Sequence, residues 1–324
     1  MKAITYIKYG PPEVLQLIEV AKPAPKDHEV LIKVYATTVN RTDCAMLRAK
    51  PFIMRFFTGL LKPNKSILGV DFAGEIEAVG KNVTSLKAGD KVFGLDVSGL
   101  SSYAQYMTIS ENKAIATLPH NMSYEQAAAC MEGAHYAYNF INKVTIKTGQ
   151  KILVNGATGA IGSALVQLLT YLKANVTAVC NTKNLELVKS IGASKVVDYT
   201  KEDFTRTEEK YNFVFDAVGK SSFAKCKPLL EPGGVYISSE LGRMAQNPFL
   251  ALITPLLGNK KVIFPIPEDC RKSVLFIKKL CEEGKFKAVI DRNYSFEEIA
   301  EAFKYVEKGE KTGNVVITVN HNIS

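Results

Sequence analysis

The stretch from Lys151 to Gly162 restricts the fold of this chain more than any other part of the sequence. An apolar run, Ile152–Val154, leads into Gly156, and Gly159 and Gly162 follow at intervals of three. Without a Cβ at Gly159 the backbone can approach a pyrophosphate, and Gly162 lets the next helix pack closely. The free N–H groups that begin this helix then face the anion. The stretch therefore predicts dinucleotide binding, and the alternative is a tight strand-to-helix turn without a ligand.

Strand and helix patterns alternate on both sides of this turn. Apolar side chains recur at helical spacing between the predicted strands, for example from Ile161 to Leu172. Alternation of this kind predicts a parallel sheet with right-handed crossovers. The predicted strands are Lys151–Asn155, Asn175–Cys180, Lys195–Tyr199, Tyr211–Val218, Gly234–Ser239 and Lys261–Phe264.

The rest of the chain has a different pattern, and 324 residues exceed the usual size of one core. Residues 1–122 contain short strands between glycines and prolines. A capping-box signature, Ser123 with Gln126, opens the helical material that follows. Residues 266–324 hold two helical patterns and a last strand, Val315–Val319, which we assign to the amino-terminal domain. The fold class is therefore α/β, with a doubly wound sheet in residues 123–265 inserted into a β-rich domain.

Cysteine content, hydropathy and charge indicate the cellular compartment and the ligands to expect. Six cysteines without a CxxC pair are typical of reduced thiols, so we expect a cytoplasmic protein. No stretch reaches the ~18 apolar residues of a membrane span. The net charge of +9 is spread along the chain, and no nucleic-acid-binding motif accompanies it.

The end of the second strand of the predicted sheet indicates which dinucleotide binds. An NAD site places Asp or Glu about 20 residues after the glycines, and Cys180 stands there instead. Asn181, Thr182 and Lys183 follow with amide, hydroxyl and ammonium donors for a 2′-phosphate, and Tyr199 adds a phenol. This pattern favours NADPH. The alternative is that Lys183 only begins a solvated helix.

These motifs, together with Asp216–Gly219, Gly89–Val92 and the inserted layout, resemble the medium-chain dehydrogenase/reductase superfamily. The similarity covers essentially the whole chain and is greatest to the zinc-independent, quinone-oxidoreductase-like branch. It implies a Rossmann sheet inserted into a GroES-like catalytic domain. The zinc branch carries Cys where Asn40 stands and His where Val70 stands, so we expect no metal.

The resemblance also implies the site residues. Pyrophosphate contacts fall on Thr158, Gly159, Ala160 and Ile161, and nicotinamide contacts on Val218, Gly219 and Ser238. Lys311 matches a late loop that returns to the coenzyme. His135 and Tyr136 are candidate donors to a developing oxyanion, with His135 also a proton source near neutral pH, and Asn40 is a candidate for orienting substrate. The alternatives are core packing for His135 and Tyr136 and a turn cap for Asn40.

We therefore expect hydride transfer from NADPH to a quinone or an α,β-unsaturated carbonyl, which delocalises the incoming charge without a metal. The other hypotheses are an NADPH sensor or scaffold with little turnover, a zinc-less alcohol or aldehyde reductase, and a zinc alcohol dehydrogenase. Two apolar segments, 51–61 and 248–257, are candidates for a lid over a lipophilic substrate or for a subunit interface. We expect a homodimer.

Overall fold

The computed structural model describes residues 1–99 and 101–321, which divide into two compact units. Unit 1 contains the described residues of Met1–Glu132 and Cys270–Ser324, and unit 2 contains Gly133–Asp269. Unit 2 is thus inserted between two parts of unit 1, in the predicted order. Its ends lie at residues 133 and 269, whereas the sequence predicts 123 and 265.

The described residues form fifteen strands and ten α-helices. The strands are β1 Lys2–Thr5, β2 Gln16–Glu19, β3 Glu29–Val39, β4 Asp71–Val79, β5 Lys91–Leu95, β6 Tyr106–Ser110, β7 Ile115–Thr117, β8 Lys151–Asn155, β9 Asn175–Cys180, β10 Lys195–Asp198, β11 Tyr211–Asp216, β12 Leu230–Ser238, β13 Lys261–Ile263, β14 Ile290–Ser295 and β15 Asn314–Thr318. The α-helices are α1 Arg41–Arg48, α2 Met54–Thr58, α3 Tyr124–Ala129, α4 Glu132–Asn142, α5 Ala160–Tyr171, α6 Leu185–Ser190, α7 Phe223–Cys226, α8 Gln246–Leu257, α9 Cys270–Glu282 and α10 Ile299–Glu307. None of these described helices has the length and apolarity needed to cross a bilayer.

Unit 2 is built on a parallel sheet with the order β10-β9-β8-β11-β12-β13. Strand order reverses between β8 and β11, as in doubly wound dinucleotide-binding sheets. The predicted strands are all present, with ends shifted by a few residues. The strands β8, β9, β11, β12 and β13 contribute to one buried core through Leu153, Val179, Val214, Tyr236 and Val262.

Unit 1 contains a mostly antiparallel sheet with the order β14-β15-β3-β4-β5-β7, and β6 also pairs with β3. The last strand, β15, pairs antiparallel with β3, which confirms its assignment to the amino-terminal domain. Helix α3 begins at the predicted capping box, where the Ser123 side chain accepts from Gln126 N. This helix packs on β3, β4 and β15, so it belongs to unit 1 and moves the boundary past the predicted residue 123.

Candidate active site

The carboxyl ends of neighbouring strands meet along one edge of the unit 2 sheet. Asn155, which ends β8, pairs with Asp216 of β11, and Asp216 pairs with Ser238 of β12. Ligands of open parallel sheets bind at this edge, beside the reversal of strand order. Apart from Lys311, the residues predicted to contact the coenzyme end these strands or follow them: Thr158, Gly159, Ala160, Ile161, Asn181, Thr182, Lys183, Tyr199, Val218, Gly219 and Ser238.

The three glycines at the turn from β8 into α5 have different environments. Gly156 has a φ of +79°, which L-residues with side chains rarely adopt. A Cβ on Gly162 would lie 2.0 Å from Gly156 O, so the helix start touches the turn, as the sequence predicts. A Cβ on Gly159 would meet only Gly156 O, at 3.8 Å. The space above Gly159 is therefore open, next to the N–H groups of the first turn of α5, which have no acceptor inside the helix.

Asp216 organises the edge of the sheet beside this turn. It is fully buried and accepts from Asn155 Nδ2 at 3.0 Å and from Tyr236 Oη at 2.8 Å. It also accepts from the backbone N–H groups of Val218 and Gly219, at 3.3 and 3.0 Å. The loop that carries the predicted nicotinamide contacts is thus shaped by one carboxylate. The sequence shows the Asp216–Gly219 motif but not this role, since two of the donors come from the neighbouring strands β8 and β12.

The turn after β9 differs from expectation at Thr182. Its hydroxyl donates to Asp198 Oδ2 at 2.6 Å, so the predicted donor to a 2′-phosphate is already committed. Thr200 Oγ1 donates to Asp198 Oδ1 at 2.7 Å. These hydroxyl groups and backbone contacts lower the pKa of Asp198. Lys183, by contrast, is exposed and has no hydrogen bond or ion pair with the residues described.

His135 and Tyr136 lie on α4, and the structure corrects the proposed proton source. His135 is 1% exposed, and burial lowers its pKa to about 4. The imidazole is therefore neutral at pH 7 and has no titrating proton to supply. Tyr136 is only partly buried, and its ring meets that of His135 edge-on, with centroids 6.0 Å apart.

Asn40 occupies a buried hydrogen-bond network in unit 1. It caps α1, where its backbone N–H donates to Asp43 Oδ2 at 2.8 Å. Its side-chain amide donates to Thr38 Oγ1 at 2.8 Å and to Asp71 Oδ2 at 3.2 Å. Both amide protons thus serve the fold, in line with the capping alternative, and the side chain also takes part in the capping box with Asp43.

Asp43, Asp71 and Glu132 form a buried group that we call the acidic cluster. Their exposed fractions are 1%, 2% and 5%, and Glu132 N donates to Asp71 Oδ1 at 3.0 Å. Burial raises the pKa of all three carboxyl groups, and the charge of Glu132 raises those of the two aspartates further. Asp43 Oδ1 and Glu132 Oε2 have no hydrogen-bond partner among the described residues. Sequence reasoning missed this cluster, because its members come from distant segments.

Lys311 lies in the loop between α10 and β15, in the same unit as the acidic cluster. Its Nζ donates to Gly313 O. Burial lowers the pKa of Lys311 to about 8, and the negative charge of Glu132 opposes this shift. The lysine therefore has carbonyl and carboxylate neighbours within unit 1, and its predicted contact with the coenzyme stays a prediction.

The folds of both units are found in known families. Residues 26–120 match the alcohol dehydrogenase GroES-like domain, and residues 191–317 match a zinc-binding dehydrogenase family. The chain is 35% identical to the tomato (Solanum lycopersicum) 2-methylene-furan-3-one reductase, over 98% of this chain and 79% of that protein. It is 32% identical to the chloroplastic NADPH-dependent alkenal/one oxidoreductase of Arabidopsis thaliana, with the same coverage.

A solved structure agrees with these relatives. The quinone oxidoreductase of Coxiella burnetii superposes with a TM-score of 0.87 at 25% identity, covering 99% of each chain. The fold and the edge of the unit 2 sheet define a dinucleotide-binding dehydrogenase or reductase. The chain belongs to the medium-chain dehydrogenase/reductase superfamily, in its branch of quinone oxidoreductases and enone reductases.

The residues of this chain do not fit the zinc ion named by one of these families. Asn40 stands where the sequence comparison expects a Cys ligand, and its amide donates to its neighbours. Val70, in place of the His ligand, is aliphatic and 2% exposed. Within residues 1–99 and 101–321, no three His, Cys, Asp or Glu side chains are grouped so as to hold a metal.

Proposed function

We propose that this protein is an NADPH-dependent, zinc-independent reductase of quinones or α,β-unsaturated carbonyls. The open space above Gly159, at the edge of the sheet where the strand order reverses, carries this proposal. It fits a pyrophosphate, because backbone N–H groups and a helix start face it without a side chain between. The relatives named above reduce the same classes of acceptor by their printed names, which supports the choice of substrate.

The chain's own residues would hold the coenzyme and stabilise charge. When bound, NADPH supplies the hydride. The turn from Thr158 to Ile161 would bind the pyrophosphate, while Val218, Gly219 and Ser238 would fix the nicotinamide end. Hydride addition to a conjugated acceptor leaves negative charge on its oxygen, and the phenol of Tyr136 would donate a hydrogen bond to that oxygen. His135 stays neutral and supports Tyr136 through the ring contact.

The test is a comparison of acceptors with purified protein, following NADPH absorbance. We expect turnover of a para-quinone, a 2-alkenal and a cyclic enone, and no turnover of a saturated aldehyde. A saturated aldehyde cannot spread the incoming charge and would need a metal or a strong acid. Tight NADPH binding without turnover of any acceptor would instead support the sensor hypothesis, and rapid oxidation of ethanol would contradict the proposal.

The preference for NADPH over NADH depends on Lys183. Its ammonium is free to pair with a 2′-phosphate, whereas the nearby Asp198 is saturated by two threonine hydroxyls. We expect Lys183→Glu to raise the KM for NADPH about tenfold, since a charge-assisted contact becomes a repulsion, and the KM for NADH by less than about twofold. Steady-state kinetics with each coenzyme measure this.

Lys189→Glu is the matched control, because it makes the same charge change on α6, where Lys189 pairs with Glu186 at 2.9 Å. It should leave both KM values unchanged. Equal effects of Lys183→Glu on the two coenzymes would remove Lys183 from the site.

We propose a homodimer that associates through α8. This helix exposes several large apolar side chains, with exposed fractions of 63–84%: Phe249, Leu252, Leu256 and Leu257. Exposed apolar patches of this kind mark interfaces. We expect Leu256→Glu to convert a sedimenting dimer into a monomer of 35.6 kDa, while Leu61→Glu, at a 92% exposed leucine of unit 1, leaves the dimer intact. A wild-type monomer, or a dimer lost only in the Leu61 variant, would reject α8 as the interface.

We propose that the protein works in the cytoplasm. The six cysteines are free thiols, which suits a reducing compartment. Microscopy of the tagged full-length protein in its host cell tests this, and accumulation in an organelle, where some relatives are named to reside, would contradict it.

A further inference from the structure

Two cysteines of unit 1 are in contact. Cys281 Sγ lies 3.9 Å from Cys130 Sγ, although 151 positions separate them in the chain. Cys130 is the residue that ends α3, and Cys281 lies one residue before the end of α9. A disulfide needs its sulfur atoms about 2.05 Å apart, so a movement of about 2 Å would join them.

The two thiols differ in a way that gives each a role. Cys130 is fully buried, and its contact with Cys281 and its burial raise its pKa well above the usual value. Cys281 is partly exposed. An oxidant can therefore reach Cys281, while Cys130 is held beside it and shielded from direct attack.

We propose that Cys130 and Cys281 form a reversible disulfide when the protein meets hydrogen peroxide, which makes this pair an oxidation site. The sulfur of Cys281, as thiolate, attacks one peroxide oxygen. The O–O bond breaks, and hydroxide leaves as water after taking up a proton. The sulfur of Cys130 then attacks the resulting sulfenic acid, the S–O bond breaks, and a second water leaves. Two thiols lose two protons and two electrons, and one peroxide takes them up to become two waters.

The crosslink has a structural consequence for unit 1. It ties the end of α3 to the end of α9 and closes a loop of 151 positions. Closing so long a loop restricts the unfolded chain, so the oxidised protein should unfold at a higher temperature than the reduced protein. The bond would also lie two residues from Glu132, so it would hold in place the segment that carries one member of the acidic cluster.

The test uses full-length protein, reduced and freed of reductant, then exposed to hydrogen peroxide. We expect intact mass to fall by two hydrogens, denatured thiol titration to fall from six cysteines to four, and peptide mapping to recover Cys130 linked to Cys281. Dithiothreitol should reverse all three changes. The rise in unfolding temperature should appear only in the oxidised sample.

Variants separate this pair from general thiol oxidation. Cys281→Ser, at a partly exposed position, should slow the loss of the Cys130 thiol at least about tenfold and abolish the rise in unfolding temperature. Cys270→Ser, at a partly exposed cysteine that begins the same helix, should leave the crosslink intact. Retention of six thiols, a crosslink through another pair, or over-oxidation of Cys281 without a crosslink would each overturn the proposal. None of these outcomes depends on reductase activity.

Discussion

Gly159→Ala should give a folded protein that binds NADPH about tenfold to a hundredfold more weakly than wild type. Gly159 has φ −70° and ψ 173°, a conformation that alanine adopts without strain. The added Cβ would meet only Gly156 O, at an ordinary contact distance of 3.8 Å. It would, however, project into the open space in which we expect the pyrophosphate to approach the backbone. Calorimetric titration with NADPH, together with thermal unfolding, measures both parts of this expectation.

Gly162→Ala is the matched variant and should behave in the opposite way. The same methyl group, three residues later, would lie 2.0 Å from Gly156 O and 2.8 Å from Ala157 Cα. Both contacts are with backbone, so α5 would have to move away from the turn. We expect a loss of stability of about 2 to 4 kcal/mol, in the range of overpacked cores and strained backbones.

The comparison of these glycines distinguishes a coenzyme cradle from a tight turn without a ligand. In a turn without a ligand, Gly159→Ala would change neither stability nor any affinity. If the Gly159 variant bound NADPH as tightly as wild type, the space above it would not be the pyrophosphate site. If the Gly159 variant unfolded, the result would contradict the assignment of open space around the Cβ position of Gly159.

Local signals in the sequence predicted most of the architecture. The capping box predicted at Ser123 lies where α3 begins, because a cap depends on residues only three positions apart. The strands of unit 2 are apolar runs bounded by turns, so they can be recognised in the sequence without tertiary information. The domain boundary depends on tertiary packing as well. The residues of α3 predict a helix, but its place in unit 1 is set by its packing against β3 and β4.

The electrostatics of the candidate site could not be predicted in the same way. The sequence shows that His135 can carry a proton near neutral pH, but only the burial of the folded chain lowers its pKa to about 4. Thr182 offers a donor in the sequence, and the neighbouring strand β10 brings Asp198 to take it. Glu132 and Asp71 are 61 positions apart, so no spacing rule could reveal their contact. Such features depend on tertiary neighbours, which a single sequence does not display.

Asp43→Asn should leave the protein at least as stable as wild type at pH 8, whereas Asp43→Leu should destabilise it by about 1 to 3 kcal/mol. An asparagine carbonyl can still accept from Asn40 N at the start of α1, a bond of 2.8 Å in the wild type. Leucine removes that acceptor and leaves a buried N–H unpaired. The asparagine variant therefore keeps this acceptor and removes the negative charge, which is 1% exposed and lies near Glu132.

The pH dependence follows from the direction of the pKa shifts in the acidic cluster. Burial raises the folded-state pKa of Asp43 above its unfolded value, so the folded state binds more protons than the unfolded state. This stabilising contribution is complete below pH about 4, the unfolded value, and is lost as pH rises through the folded pKa. The difference in unfolding free energy, Asp43→Asn minus wild type, should therefore increase as pH rises above about 4, as urea titrations can measure.

Taking the difference between these two proteins isolates the cluster from other titrating groups. The pKa of His135 is lowered, so its own contribution has the opposite sign and stabilises the protein above pH about 6.5. Since His135 is present in both proteins, its contribution cancels to first order. A difference that stayed flat with pH would mean that Asp43 is not held in an unfavourable charged state. A rising difference would mean that unit 1 keeps a buried carboxylate at a cost to stability, which is the expected property of a group retained for function.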